Sequence, residues 1–233
     1  MQHSTFNTHT TPVIILAGGF GTRLSTVVKD VPKPMASING KPFLHYIFQT
    51  LQQQGIEKVV LSVGYKHEII KDFFQENYLG IDVEYAVENE PLGTGGAIKH
   101  AFNLVDDDAY VLNGDTFFDV DLSKLKKKDS DISIALKPME NFDRYGTVEL
   151  NANHKIIAFH EKKKCEQGLI NGGVYYFKKI LFNKIKTAHK FSFENDVLEK
   201  HVHDLQFNGI VSDSYFIDIG IPEDYAKAQK DLK

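Results

Sequence analysis

A four-residue apolar run, Val13-Ile14-Ile15-Leu16, breaks abruptly into Ala17-Gly18-Gly19-Phe20-Gly21-Thr22-Arg23, and this break constrains the chain more than any other feature. Four apolar residues suit a buried strand and are too few for a helix. Glycine at positions 18, 19 and 21 removes Cβ atoms, so backbone N–H groups can turn toward a bound group and approach it closely. Arg23 follows at once, with Lys29 and Lys33 further along. A strand, a glycine loop and then fixed cations make a good receiver for a polyphosphate. Taken alone, the glycines serve a tight strand-to-loop turn equally well. The stretch lacks the Lys-Ser/Thr pair of a Walker loop, and Leu24 stands where the third glycine of a dinucleotide fingerprint would be.

The pattern that follows narrows the fold. Lys41 to Gln54 carries Phe43, Leu44, Ile47, Phe48 and Leu51 at helical spacing and is stopped by Gly55. Lys58 to Val63 reads as a strand, Lys66 to Glu76 as a helix, Asp82 to Val87 as a strand, Gly95 to Val105 as a helix and Tyr110 to Leu112 as a strand. This alternation predicts an α/β fold, a doubly wound, mostly parallel Rossmann-like sheet with helices on both faces. Beyond Asp115 the rhythm becomes β-rich, with strands expected at Asp131–Leu136, Gly146–Leu150, Lys155–His160 and Ile170–Phe177. Helical patterns return at Lys179–Lys186 and Glu194–His201. Strand-like segments at Leu205–Val211 and Tyr215–Ile219 then precede a closing helix from Pro222. No linker or repeat divides the chain, so we expect a flexible tail over 1–12 and one domain over 13–233.

Composition excludes several classes. A net charge of −4 argues against a nucleic-acid binder held by phosphate contacts. No apolar run approaches the roughly 20 residues that span a bilayer, and the polar first dozen residues lack the apolar centre of a signal peptide. One cysteine, Cys165, excludes an intramolecular disulfide and fits a reducing cytoplasm. With Lys162 to Lys164 beside it and no histidine near in sequence, it reads as an incidental thiol. The histidines show no zinc spacing. A homo-oligomer stays compatible with the sequence, since nothing in it separates a dimer patch from ordinary exposed apolar surface.

In doubly wound sheets, ligands sit beyond the carboxyl ends of the strands. Asn113-Gly114-Asp115 falls there, after Tyr110-Val111-Leu112, and Asp218 occupies a comparable place before Gly220. Either aspartate alone could simply stabilise a turn. Together with the glycine loop they suit Mg²⁺, a hard ion that takes oxygen ligands and keeps positions for water and phosphate. Lys33, stiffened by Pro32 and Pro34, is either a solvated turn lysine or a second phosphate contact. Glu88 to Ala97, reading ENEPLGTGGA, is a second glycine-rich turn whose glycines would let a flat base lie against the backbone. Glu88 can accept hydrogen bonds along a base edge, and guanine, with N1–H and N2–H₂ as donors, suits a carboxylate. Glu90 reads as its solvated neighbour.

LAGGFGTRL, KPM with Lys33, PLGTGGA, NGD with Asp115 and FIDIGIPEDY, in this order, resemble the sugar-1-phosphate nucleotidyltransferases over essentially the whole chain after the tail. TRLSTVVKDVPKPMA, NGDTFFDVDLS and DRYGTV are most similar to the subgroup that guanylylates D-glycero-D-manno-heptose 1-phosphate. The resemblance implies GTP and a sugar 1-phosphate as substrates and Mg²⁺ as cofactor. It implies that Leu16, Ala17, Gly18 and Gly93 frame the base while Glu88 reads it, and that Gly19, Gly21, Thr22 and Arg23 hold the triphosphate. Lys33 would contact the α-phosphate, and Asp115 with Asp218 would carry the metal, making Arg23, Lys33 and Asp115 the catalytic set. Tyr145-Gly146, Glu161-Lys162 and Asn171-Gly172 match sugar-phosphate positions, with Lys162 on the phosphate. The chain ends shortly after its last motif, so the left-handed β-helix that often follows in this family is not expected.

Three rivals follow from the same residues. Mannose 1-phosphate with GTP, or an amino-sugar phosphate with UTP, would keep the class and change the substrates. A nucleotide-sugar glycosyltransferase also pairs an α/β fold with a carboxylate-held metal, but Arg23 and Lys33 beside a glycine loop suit a triphosphate. A non-catalytic nucleotide-sugar sensor would be expected to have lost the cations or carboxylates, and here all are present.

Overall fold

The computed structural model of the chain describes residues 11–19, 24, 28 and 30–233. Four strands, β1 (Val13–Leu16), β2 (Lys58–Val63), β3 (Ile81–Val87) and β4 (Ala109–Asn113), run parallel in the spatial order β4-β1-β2-β3. Strands β1, β2 and β4 are near-continuous apolar runs, as burial on both faces demands, whereas β3 alternates, with Asp82 and Glu84 exposed. Val13, Ile15, Val59, Leu61 and Val63 pack on one face with α1 (Phe43–Gln53) and α2 (His67–Phe74). Ile14, Val60 and Ala86 face the other side, against Ile98 and Ala101 of α3 (Gly93–Ala101). Fully buried Phe43, Phe48 and Phe74 anchor α1 and α2 to the sheet, each contributing about 1.5–3 kcal/mol.

Helix α1 starts two residues later than its apolar spacing predicts. Lys41–Pro42 pairs with Ser37–Ile38, and Pro42 is extended at ψ 147°, so the chain turns helical only at Phe43. Gly55, at φ +73°, ends that helix region in the left-handed conformation glycine tolerates. Helix α3 begins at Gly93 rather than Gly95 and gives way at Phe102 to a 3₁₀ turn.

The sheet is ten-stranded and mixed. After β5 (Thr116–Phe118), β6 (Ile132–Phe142), β7 (Thr147–Leu150), β8 (Ile156–His160) and β9 (Cys165–Phe177) make the β-rich section. The carboxyl half of β9 runs antiparallel to β4, from Val174 opposite Leu112 to Phe177 opposite Ala109, and so joins this section to the parallel one. β6 and β9 are longer than expected because Lys137–Phe142 pairs with Cys165–Ile170, polar segments whose sequence carries no apolar alternation. Cys165 therefore sits in a strand, opposite Phe142.

The last two strands separate. β10 (Phe207–Val211) adds in parallel to β6, whereas β11 (Phe216–Asp218) forms a two-stranded ribbon with β5. Of the two helical patterns expected between them and β9, one is a single turn, Leu181–Lys184, and the other is a π-helical turn, Glu194–Glu199. A closing helix, α4 (Pro222–Asp231), has Pro222 in its first turn as the sequence predicts. The described residues contain no β-helix.

Candidate active site

Because β1 to β4 are parallel, their carboxyl ends open on one edge of the sheet, and two adjoining cavities of about 670 and 640 Å³ lie there. Both volumes fall in the range of small-molecule sites. The first is lined by Leu16 at the end of β1, Gly18 and Gly19 after it, Gly64 after β2 and Glu88 after β3. The second is lined by Tyr145, Gly146, Glu161, Lys162 and Asn171. Lys33, Thr94, Asn113, Asp115, Glu194 and Gly220 belong to both and mark the seam.

At the seam, three elements bring two carboxylates and a cation together. Strand β4 ends at Asn113, and Gly114 donates its N–H to the Leu16 carbonyl at 2.9 Å. A Cβ on Gly114 would lie 2.7 Å from that oxygen, so only glycine permits the turn that projects Asp115 into the crevice. Asp218 arrives opposite Thr116 on the β5–β11 ribbon, and the Ile219 N–H donates to the Asp115 carbonyl at 3.1 Å. Lys33 stands in a single 3₁₀ turn between Pro32 and Pro34, fixed by buried Pro34 and Met35. Its ammonium donates to Asp115 Oδ2 at 2.7 Å and reaches Asp218 Oδ1 at 3.5 Å, with only 13% of the side chain exposed. The Tyr145 hydroxyl donates to Asp218 Oδ2 at 3.4 Å.

Burial first, and the Asp115 charge second, push the Asp218 carboxyl above the ordinary aspartate value, against the opposing pull of Lys33. The Tyr145 phenol is raised by burial and by the Asp218 charge, so it acts here as a donor. Among the described residues no group of three or more His, Cys, Asp or Glu is placed to hold a metal. The pair Asp115 and Asp218 nonetheless fits a hard divalent ion: both are oxygen donors, and they crowd each other enough to need a cation between them.

In the first cavity, Glu88 follows β3 and donates its N–H to the Val63 carbonyl at 2.8 Å. Its Oε1 accepts from Ser62 Oγ at 3.3 Å and its Oε2 from the Leu92 N–H at 3.1 Å. A Cβ on Gly18 would lie 3.0 Å from Glu88 Oε1 and 3.3 Å from the Gly64 nitrogen, so Gly18 lets β1 and the carboxylate converge. Ala17 does not reach the cavity; it is buried, with its N–H on the Ser62 carbonyl at 2.8 Å. Gly21, Thr22 and Arg23 lie outside the described residues.

The second glycine loop has a different cause from the one its sequence suggests. A Cβ on Gly93 would lie 2.5 Å from the Phe191 carbonyl, one on Gly95 2.2 Å from the Phe191 ring, and one on Gly96 2.8 Å from the His189 carbonyl. The glycines make room for the chain at 189–193, which zips onto them: Phe191 accepts from the Gly95 N–H and donates to the Leu92 carbonyl. Of the three glycines only Gly93 lines the first cavity, together with Thr94 and Ala97; Gly95 and Gly96 do not reach it.

In the second cavity, Gly146 packs against the His160 carbonyl, which a Cβ would approach to 2.4 Å, and Glu161 and Lys162 form its exposed rim. Gly172 faces away: a Cβ there would meet the Phe118 ring at 2.5 Å, and its neighbour Gly173, at φ +70°, lines the cavity instead. Residues that sequence reasoning missed include Arg144 and the π-helical wall Glu194–Glu199. Arg144 is held by Asp224 at 2.5 Å and stacks over Tyr145. A cation directly before Tyr145 was a usable signal; the wall was legible as a helical segment, but nothing in its sequence marks it as lining a cavity. No helix of the described residues is long and apolar enough to cross a membrane.

A family model of nucleotidyl transferases matches residues 12–233. The chain belongs to the nucleotidyl transferase family. It is 55% identical to the D-glycero-alpha-D-manno-heptose 1-phosphate guanylyltransferase of Campylobacter jejuni, over 91% of this chain and 96% of that protein. It is 52% identical to the protein of the same name from Aneurinibacillus thermoaerophilus, over 94% of this chain and 97% of that protein. The structure of HddC from Yersinia pseudotuberculosis complexed with GMP-PN superposes with a TM-score of 0.86 at 40% identity, covering 96% of this chain and 100% of that chain. The mixed α/β architecture is thus that of a nucleotidyl transferase.

Proposed function

We propose that this nucleotidyl transferase moves the guanylyl group of GTP onto D-glycero-D-manno-heptose 1-phosphate, giving the GDP-sugar and pyrophosphate in the cytoplasm. The observation that carries the reaction class is the Lys33–Asp115–Asp218 cluster at the seam of two cavities, where a triphosphate and a sugar phosphate would meet. The choice of base and sugar is supported by relatives more than half identical over nearly the full length of both chains.

In this reading the base lies against Leu16, Gly18 and Gly93. Glu88 retains a lone pair on each oxygen, beyond those used by Ser62 and Leu92, for guanine N1–H and N2–H₂. Gly19, Gly21, Thr22 and Arg23 hold the triphosphate. The sugar sits among Tyr145-Gly146, Glu161-Lys162 and Asn171, with Lys162 on its phosphate. A phosphate oxygen of the sugar 1-phosphate attacks the α-phosphorus in line and pyrophosphate leaves. No protein nucleophile is required. Both reactants are anionic, so catalysis consists of orientation and neutralisation by Arg23, Lys33 and Lys162. Asp115 and Asp218 would hold Mg²⁺, which when bound supplies charge neutralisation at the phosphates.

Pyrophosphate release with Mg²⁺, comparing GTP, UTP, dTTP, ATP and CTP against heptose 1-phosphate and mannose 1-phosphate, tests the reading. GTP with heptose 1-phosphate should exceed every other pair. Preference for UTP would remove the guanine assignment, preference for mannose 1-phosphate the heptose one, and silence with all pairs the enzymatic reading.

A further inference from the structure

Every oxygen of the two seam carboxylates already has a protein partner. Asp115 Oδ2 and Asp218 Oδ1 share the Lys33 ammonium, Thr116 Oγ1 lies 3.4 Å from Asp115 Oδ1, and the Tyr145 hydroxyl is on Asp218 Oδ2. Two carboxylates carry two negative charges and the ammonium returns one, so the cluster holds a net charge of about −1. The stem of Lys33 rises from a turn clamped between prolines, and the residue lines both cavities. Its backbone is fixed while its four-carbon side chain can swing between the carboxylates and a phosphate.

We propose that Lys33 is the resident counter-cation of this carboxylate pair, and that metal and triphosphate bind as a single exchange in which the ammonium passes from the carboxylates to the nucleotide. The inference rests on the assignment of Asp115 and Asp218 as metal ligands and adds an order of events to it. A divalent ion arriving alone must displace the ammonium and leave it beside two positive charges, with no anion to receive it. A metal arriving with a triphosphate brings that anion, so the carboxylates gain the divalent ion and Lys33 gains a phosphate oxygen. Thr116 and Tyr145 are neutral, and the Arg144 guanidinium is held by Asp224, so no other described cation at the seam takes over the role of Lys33. Nucleotide and metal should therefore raise each other's affinity, and by linkage the two factors must be equal.

The test is Mn²⁺ binding to the nucleotide-free protein, followed by electron paramagnetic resonance, in wild type, Lys33→Met, Asp115→Asn and Asp218→Asn. Lys33→Met should bind Mn²⁺ at least tenfold more tightly than wild type. Mn²⁺ should also strengthen binding of a non-hydrolysable GTP analogue more in wild type than in Lys33→Met. Equal Mn²⁺ affinity in the two proteins, lost in Asp218→Asn, would overturn the exchange while leaving the metal site standing. Mn²⁺ binding indifferent to both aspartate variants would remove the metal assignment and the exchange with it. Should Lys33→Met fail to fold, the wild type still decides: Mn²⁺ bound as tightly without the GTP analogue as with it overturns the proposal.

Discussion

Lys33, Asp115 and Asp218 stand so close that changing one alters the other two. On the proposed mechanism Lys33→Ala takes away a cation that neutralises the transition state, and kcat should fall at least a hundredfold, about 3–4 kcal/mol of barrier. Circular dichroism should show the fold retained; turnover near the wild-type rate would remove Lys33 from the catalytic set. Asp218 allows a second prediction, on stability. Its carboxyl is held above the ordinary value, first by burial and then by Asp115, so the folded chain binds that proton more tightly than the unfolded chain. Ionising it therefore costs nothing below the unfolded value of about 3.9 and its full penalty once pH exceeds the raised folded value. Asp218→Asn should unfold at a higher urea concentration than wild type at neutral pH, with the gain vanishing below about pH 4. Pyrophosphate release should fall in the same variant. An unchanged urea midpoint at neutral pH would mean that Lys33 fully offsets the burial.

At the scale of elements, the two glycine loops look alike in sequence and behave differently in the fold. Among the described residues nothing lies within 4 Å of a Cβ on Gly19, so Gly19→Ala should keep the wild-type melting temperature and weaken GTP binding. Gly93 combines φ +72° with a Cβ position 2.5 Å from the Phe191 carbonyl. Gly93→Ala should lose about 1–3 kcal/mol of stability and raise the KM for GTP, because the chain at 189–193 must shift away from Thr94. Equal melting temperatures for the two variants would defeat this distinction. The contrast also shows what a sequence conceals. Val13–Leu16 and Lys58–Val63 were legible because burial on both faces of a sheet imposes an unbroken apolar run. Asp115 and Asp218 were legible because each stands at the carboxyl end of a short apolar segment, Tyr110–Leu112 and Tyr215–Ile217. The reason for Gly93, Gly95 and Gly96 was not, since it lies in Phe191 and His189, far along the chain. Lys137–Phe142 escaped notice for a related cause: a polar strand segment pairs through its backbone and leaves no side-chain pattern.

At the scale of the whole molecule, the parallel and β-rich sections cannot be pulled apart without opening both apolar layers. Val13 and Ile15 of β1 belong to one layer and Ile14 to the other; Tyr110 and Leu112 of β4 divide from Val111 in the same way. Strand β9 repeats the division, with Val174 and Tyr176 on one side and Tyr175 and Phe177 on the other, and it also pairs with β4 and β6. A break between the sections would expose both faces of these strands at once and strip the β4–β9 ladder of its backbone partners. We therefore expect one cooperative urea transition, although the chain is longer than most two-state domains. The chain has no tryptophan, but its tyrosines report on both layers, Tyr110 and Tyr176 in one and Tyr175 in the other. Near-ultraviolet circular dichroism of these tyrosines and far-ultraviolet dichroism of the backbone should give superimposable curves. A GTP analogue with Mg²⁺ at a hundred times its dissociation constant should move both by the same amount, about 2.7 kcal/mol. Two separated transitions, with only the earlier or the later one shifted by nucleotide, would show that residues 13–233 comprise two units and that the nucleotide side folds without the sugar side.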